Sequence, residues 1–304
     1  MQKFENFIIS HWDADGLICV SLLYKKLNQQ NFYTLFTSPF LFKNALIRLI
    51  SKNENLKELF IFDIAGNKVT LALAACFEKC LWIDHHVWNE KSFPKNVKVI
   101  NRSAKSCANV VSKYFKINSD LVKIAEQIDT NNVKDAKAEF LRNYIAAIKW
   151  KYGKSPLLIN TQFRRLANFL AAEKFEELQN SPEAQNLLDE FFEIVVPGER
   201  EAIKNAEIIK IKAKKVCFCE VKSFVPAFRI FNSLKAHKEW PFDIISIIYR
   251  KNDKTKIEFR TATNTDVYKI AKFFGGGGHK KASGATVNKK IEIEEIVNAI
   301  EQLY

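Results

Sequence analysis

The sequence predicts an α/β protein of two domains: an N-terminal parallel-sheet domain, a helical linker and a smaller α/β C-terminal domain, with an active site in the cleft between them. Short apolar runs that end on acidic or imidazole side chains give the first indication. Phe7-Ile8-Ile9-Ser10 leads into His11-Trp12-Asp13-Ala14-Asp15-Gly16, Leu59-Phe60-Ile61-Phe62 into Asp63, and Leu81-Trp82-Ile83 into Asp84-His85-His86. Unbroken apolar runs of this length suit the buried strands of a parallel sheet. Helical spacing between them gives the second, as in Leu17, Val20, Leu23, Tyr24 and Leu27. The third is a change of pattern near residue 207, where strand-like runs replace a long helical stretch.

The elements follow in order. Gly16 to Leu27, Val69 to Cys80 and Ser106 to Phe115 read as helices of the first domain. From Leu121 to about Gln179 the pattern is mostly helical, with Asp129 closing Ala125-Glu126-Gln127-Ile128-Asp129. Pro182 suits a first helical turn and opens Glu183 to Ile194. Pro197-Gly198 is expected to interrupt the chain before a further helix from Glu199 to Ala206. This gives a catalytic domain over 1–190, a linker over 191–207 and a substrate-binding domain over 208–304. Strand-like runs then occupy Ile208 to Ile211, Val216 to Val221, Ile244 to Tyr249 and Lys256 to Thr261. A short helix at Val267 to Phe274 enters Gly275-Gly276-Gly277-Gly278-His279, and Ile293 to Leu303 closes the chain as a helix.

Composition narrows the class. A length of 304 residues suits about two domains, each able to bury a core. No run approaches the roughly 18 apolar residues of a membrane span, and Lys3 and Glu5 interrupt the apolar core that a signal peptide would need. The cysteines at 19, 76, 80, 107, 217 and 219 form no C-x-x-C pair. They read as free thiols of a cytoplasmic protein, Cys76 and Cys80 on one helix face and Cys217 and Cys219 on one strand face. A net charge of +13 favours polyanionic partners over a membrane. No obligate protein partner is evident, and a homodimer is compatible with the chain.

The chemistry begins with charge. Ligands of a parallel sheet gather at the carboxyl ends of its strands, which is where Asp13, Asp15 and Asp63 fall. With Asp129 they would place four carboxylates together, and their repulsion calls for cations. Asp120 and Asp135 lie close in sequence and compete with Asp129 for the fourth place. Two divalent ions would supply the compensating charge, and the mixed carboxylate and imidazole donors suit manganese, iron or cobalt better than calcium. Two such ions acidify a shared water enough to attack phosphorus. No Walker-type phosphate loop and no nucleophile elbow occurs.

These residues carry a resemblance. His11-x-Asp13-x-Asp15-Gly16, Asp63, Asp84-His85-His86 and Asp129 resemble, in order, the four motifs of the DHH phosphoesterase superfamily. Gly275-Gly276-Gly277-Gly278-His279-Lys280-Lys281-Ala282-Ser283-Gly284 is similar to the signature of its type-one DHH-associated C-terminal domain. Related members include nanoRNases and 3′,5′-bisphosphonucleotide phosphatases, cyclic-dinucleotide phosphodiesterases and RecJ-type exonucleases. The glycine-histidine motif sets the chain apart from the pyrophosphatases and polyphosphatases. The compact first motif resembles RecJ-like and nanoRNase-B-like members, whereas many nanoRNases carry a longer spacing with a proline.

The resemblance implies that His11 and Asp13 hold one metal ion, that Asp15, His85 and Asp129 hold the other, and that Asp63 bridges. Both ions would be Mn2+. Asp84 would orient a metal-bound imidazole and His86 would face the substrate phosphate, the two forming the catalytic pair. Arg260, Gly277, Gly278, His279 and Ser283 would bind the nucleotide. The implied activity is hydrolysis of short oligoribonucleotides or linear dinucleotides to mononucleotides, with 3′,5′-bisphosphonucleotides a second substrate. A cyclic-dinucleotide phosphodiesterase, a RecJ-like exonuclease and a non-catalytic nucleotide-binding protein are the alternatives. RecJ-type exonucleases add further domains that grip a longer strand. With no such platform after Gly284, the expected preference is for two to five nucleotides.

Overall fold

The computed structural model describes residues 4–27 and 32–304; Lys3, part of the reading of the first ten residues, lies outside them. The chain divides into two compact units, Met1–Leu188 and Asp189–Tyr304. The first runs β1 (Asn6–His11), α1 (Ala14–Leu27), β2 (Phe32–Thr37), α2 (Pro39–Lys52), β3 (Glu58–Phe62), α3 (Lys68–Ala74), β4 (Lys79–Asp84) and β5 (Val97–Asn101). Helices α4 (Cys107–Phe115), α5 (Leu121–Asp129), α6 (Ala136–Tyr152), α7 (Pro156–Ala171) and α8 (Phe175–Gln179) follow. Helix α9 (Pro182–Lys204) continues from the first unit into the second.

All neighbouring strands of the first sheet are parallel, in the order β2-β1-β3-β4-β5. Alternation along β1 sends Phe7 and Ile9 to one face, where Phe42, Leu46, Leu71 and Trp82 close a core beneath α2 and α3. Ile8 and Ser10, on the other face, are equally buried, so the middle of β1 has no solvent side. Both faces are covered, and this is why the strand sequences read as continuous apolar runs. Successive crossovers run in opposite directions on either side of the β1–β3 pair. A crevice opens at the carboxyl ends where the strand order reverses in this way. The three strands that carry the acidic motifs, β1, β3 and β4, are neighbours across that point.

The second unit contains β6 (Glu207–Ile211), β7 (Lys214–Val221), α10 (Ala227–Leu234), β8 (Ile244–Lys251), β9 (Lys254–Arg260), α11 (Val267–Phe273), β10 (Gly277–His279), β11 (Ala282–Val287) and α12 (Ile293–Leu303). Its mixed sheet has the order β10-β11-β9-β8-β7-β6, with β7 and β8 parallel and the other pairs antiparallel. Phe218, Ile248, Ile257 and Phe259 pack against Val267, Ile270, Ile296 and Ile300 of α11 and α12.

The structure corrects two sequence expectations. The helix expected to reach Cys80 stops at Ala74, because β4 must start at Lys79 to pair with Glu58 of β3. Cys76 and Cys80 therefore share no helix face: Cys76 is exposed in the turn and Cys80 is buried in the strand. Nor does Pro197-Gly198 interrupt the chain, since α9 runs straight through it. Gly198 serves a close approach instead. A Cβ there would lie 2.0 Å from Ser223 Oγ and 3.0 Å from Val225 Cγ2. Cys217 and Cys219 do share a buried strand face, with sulfurs 3.8 Å apart. Among the described residues, no helix is long and apolar enough to cross a membrane.

Candidate metal centre

Strand β1 delivers His11 as its last residue, and the chain turns at once into α1. Asp13 makes that turn by splitting its carboxylate: Oδ1 accepts from the Gly16 amide at 3.0 Å, while Oδ2 lies 2.7 Å from His11 Nδ1. Only glycine fits at 16, since a Cβ would stand 2.4 Å from the His11 carbonyl oxygen. Asp15, one residue earlier, is buried and accepts from the amides of Cys107 and Ala108 at 2.5 and 2.8 Å. One carboxylate thus ties the start of α1 to the first turn of α4, where Ser106 caps the Asn109 amide.

Asp63 follows β3 in a left-handed backbone conformation, φ 59°. This conformation costs about 1–2 kcal/mol for a residue with a Cβ, less for aspartate than for most. It is held there by its own amide, which donates to the Ile83 carbonyl at 3.1 Å, and by the Trp82 indole, which donates to the Ile64 carbonyl at 2.8 Å. Asp63 is not a helix cap, because Asn67 caps α3. Its two oxygens face different imidazoles: Oδ2 is 3.5 Å from His11 Nδ1, and Oδ1 is 3.3 Å from His85 Nε2.

His85 follows β4. Its Nδ1 lies 3.2 Å from the Ala104 carbonyl oxygen, which can only accept, so Nδ1 carries the proton. Nε2 then faces inward, 3.7 Å from Asp15 Oδ2 and 3.8 Å from Asp129 Oδ2, the atom a metal would take once its proton leaves. Asp129 closes α5, whereas the Asp120 side chain is exposed and Asp135 caps α6 through the Lys137 amide. Two triads result, His11-Asp13-Asp63 and Asp15-His85-Asp129, each with its donor atoms within 4.8 Å of one another. Asp63 belongs to the first and reaches the second.

Asp84 acts on a different imidazole from the one expected. Its Oδ1 is 2.7 Å from His86 Nδ1 and its Oδ2 accepts from the Trp88 indole at 2.5 Å. It therefore orients His86, while a backbone carbonyl orients His85. Trp88 gave no sequence signal for this role; only its spacing from Asp84, on a loop past the strand end, could have suggested it.

The charges confirm that these groups crowd one another. Burial raises Asp129 to about 7, and the nearby Asp63 adds to the rise. Burial likewise lifts Asp15 well above the carboxylate range, helped by Asp63 and Asp129. Burial opposes a charged His11, yet Asp13 and Asp63 push it up to about 10. His85 also reaches about 10 against burial, through Asp63, Asp15 and Asp129. Asp84 is lowered despite burial, by His86 and Trp88. Protons thus stand in where cations would fit, and the donors suit two divalent ions: two imidazole nitrogens and four carboxylates, one of them shared.

In the second unit, His279 of β10 pairs in register with Ala282 of β11, which pairs with Arg260 of β9. Residues in one such row point to one face, so Arg260 and His279 stand together, two strand spacings or about 10 Å apart. The Arg260 guanidinium also donates to Glu258 Oε2 at 2.7 Å. Gly277 and Gly278 are exposed on the edge strand. Gly278 has φ 128°, and a Cβ there would stand 2.7 Å from the Ala282 carbonyl oxygen; Gly277 has open space around it. Ser283 is buried and its hydroxyl donates to the Val267 carbonyl at 2.8 Å, holding β11 to α11.

Residues 227–304 match the model of the DHHA1 domain. Comparison with curated proteins gives no match. Among solved structures, the chain is similar to PggH, a pGpG-specific phosphodiesterase from Vibrio cholerae, with a TM-score of 0.63 and 13% identity over 99% of this chain and 97% of that one. An exopolyphosphatase-related protein from Bacteroides fragilis gives 0.56 and 14% over 98% and 91%. RecJ from Thermus thermophilus, solved with Mn2+, gives 0.53 and 13% over 98% of this chain but 52% of that one. Residues 227–304 thus form a DHHA1 domain, and the chain as a whole shares the fold of PggH and of RecJ.

Proposed function

We propose that the protein is a phosphoesterase with two manganese-class ions that hydrolyses short oligoribonucleotides, linear dinucleotides among them, to mononucleotides. The observation that carries this reading is Asp63, whose two carboxylate oxygens face two separate triads of metal donors. His11 and Asp13 would hold one ion, and Asp15, His85 and Asp129 the other, with Asp63 shared. Bound there, such ions would supply Lewis acidity toward the phosphate and lower the pKa of a bound water.

The chain's own residues do the rest. Asp84 keeps His86 protonated at Nδ1 and turns its Nε2 away from Asp84. Burial opposes charge on His86 while Asp84 and Asp63 raise its pKa, which favours a protonated imidazole that can donate to an equatorial phosphate oxygen or a departing alkoxide. Arg260 and His279, with the amides of Gly277 and Gly278, would hold a further phosphate of the nucleotide. Free thiols throughout the chain suit a cytoplasmic setting.

Substrate length follows from support of a different kind. The fold matches nearly the whole of a pGpG-specific phosphodiesterase. The test is a panel of di- to decanucleotides, cyclic dinucleotides and 3′,5′-bisphosphonucleotides incubated with protein and Mn2+. Hydrolysis of linear di- to pentanucleotides, with kcat/KM falling as length grows and slower turnover of bisphosphonucleotides, is the expected result. A 20-nucleotide strand degraded faster than a dinucleotide at physiological salt would contradict it.

A further inference from the structure

Beside the metal centre, on the β2 side, the surface is apolar and basic in a way that packing does not explain. His11 pairs in register with Thr37, and the Trp12 amide donates to the Thr37 carbonyl at 3.1 Å. The next residue, Ser38, caps α2 and is followed by Pro39, Phe40 and Leu41. Helix α7 begins in the same way, with Ser155 as its cap, followed by Pro156, Leu157 and Leu158. Asn160 binds the two starts together. It accepts from the Phe36 amide at 2.6 Å and donates to the carbonyls of Phe36 and Pro156 at 3.2 and 3.0 Å.

Each start therefore displays two large apolar side chains. Phe40 is 89% exposed and Leu157 71%, and Leu41 and Leu158 are exposed as well. Scattered exposed leucines are ordinary, but here two such pairs stand at two helix starts that one asparagine holds together. The surroundings are cationic. Neither 32–52 nor 140–172 contains an acidic residue, and Lys149 stands over the Trp12 ring at 5.6 Å, next to the His11-Asp13 triad.

We propose that this shelf seats a nucleobase of the substrate, with Phe40 as the stacking ring and Lys149 toward the adjoining phosphate. The inference rests on the nucleotide-hydrolase reading of the metal centre and specifies where the chain recognises a base. An exposed apolar ring on a segment without acidic residues, with Lys149 over the neighbouring Trp12, matches a base with its phosphate. A second copy of this chain would bring a like-charged surface to the same place, since the net charge is +13.

The test compares kcat/KM for a linear dinucleotide with that for its abasic analogue, which keeps the sugar-phosphate but lacks the bases. Wild type should prefer the base-bearing substrate. Phe40→Ala should reduce that preference at least about fivefold, the low end for loss of a base-aromatic stack, and Phe40→Trp should restore it. The substitution sits on an exposed ring, so the melting temperature serves as a control for folding. Full preference in Phe40→Ala overturns the shelf while leaving the hydrolase standing. A shift from dimer to monomer in Phe40→Ala, with preference retained, also overturns it and assigns the patch to self-association. If wild type hydrolyses neither substrate, the reading of the metal centre itself fails, and the shelf with it.

Discussion

At the scale of residues, the site is a set of side chains each doing two jobs. Asp13 caps α1 and faces His11; Asp15 anchors α4 and faces His85; Asp63 turns the chain in a left-handed step and faces both imidazoles. The acidic motifs were legible because metal chemistry needs particular residue types at particular strand ends. The roles of the second layer were not. The partner of Asp84 depended on which imidazole the turn after β4 presents, and sequence order pointed to His85 as readily as to His86. Crowding makes a measurable prediction. His11 and His85 hold protons up to about pH 10 and Asp129 up to about 7, so a metal must displace them. Raised pKa values mean that protons compete more strongly at lower pH. Apparent metal affinity should therefore rise from pH 6 to pH 9. Calorimetric heats of Mn2+ binding should likewise depend on the buffer's ionisation enthalpy, with protons released. Buffer-independent heats would show that the ligands are already deprotonated.

At the scale of elements, strong periodicity was readable and weak periodicity was not. Helix α12 was predicted with the bounds it has, because Ile296, Ala299 and Ile300 recur at helical spacing behind a capping box at Glu292. Strand β2 and helix α2 were passed over: β2 mixes half-buried and buried positions with no clean alternation. Helix α10 starts after Pro226 with no side-chain cap, and β11 is built of small residues with little strand propensity. Proline misled in α9, where tertiary packing outweighs a local breaking signal. Gly198 tests that account. On propensity alone, Gly198→Ala should stabilise a helix by about 1 kcal/mol. Here it should destabilise instead, since its Cβ would meet Ser223 Oγ. Thermal denaturation should show a lowered melting temperature, most of it recovered in the Gly198→Ala/Ser223→Ala pair. A stabilised single variant would mean that Ser223 moves aside freely.

At the scale of the whole molecule, the six side chains assigned to the metal ions lie in Met1–Leu188 and the proposed phosphate grip in Asp189–Tyr304. The two sets of residues should therefore separate experimentally. His279→Ala and Arg260→Ala should each leave metal content unchanged and weaken substrate binding by about 1.5–3 kcal/mol, typical of a contact to a charged group. The loss should appear in KM more than in kcat, and loss of bound metal in either variant would join the two sets into one. The central claim is that six side chains form one centre around a shared Asp63, and metal content tests it most directly. Wild type dialysed against Mn2+ should retain two ions per chain, His11→Ala about one, and Asp63→Ala neither, with hydrolysis lost alongside. Two retained ions and undiminished turnover in Asp63→Ala would contradict the account.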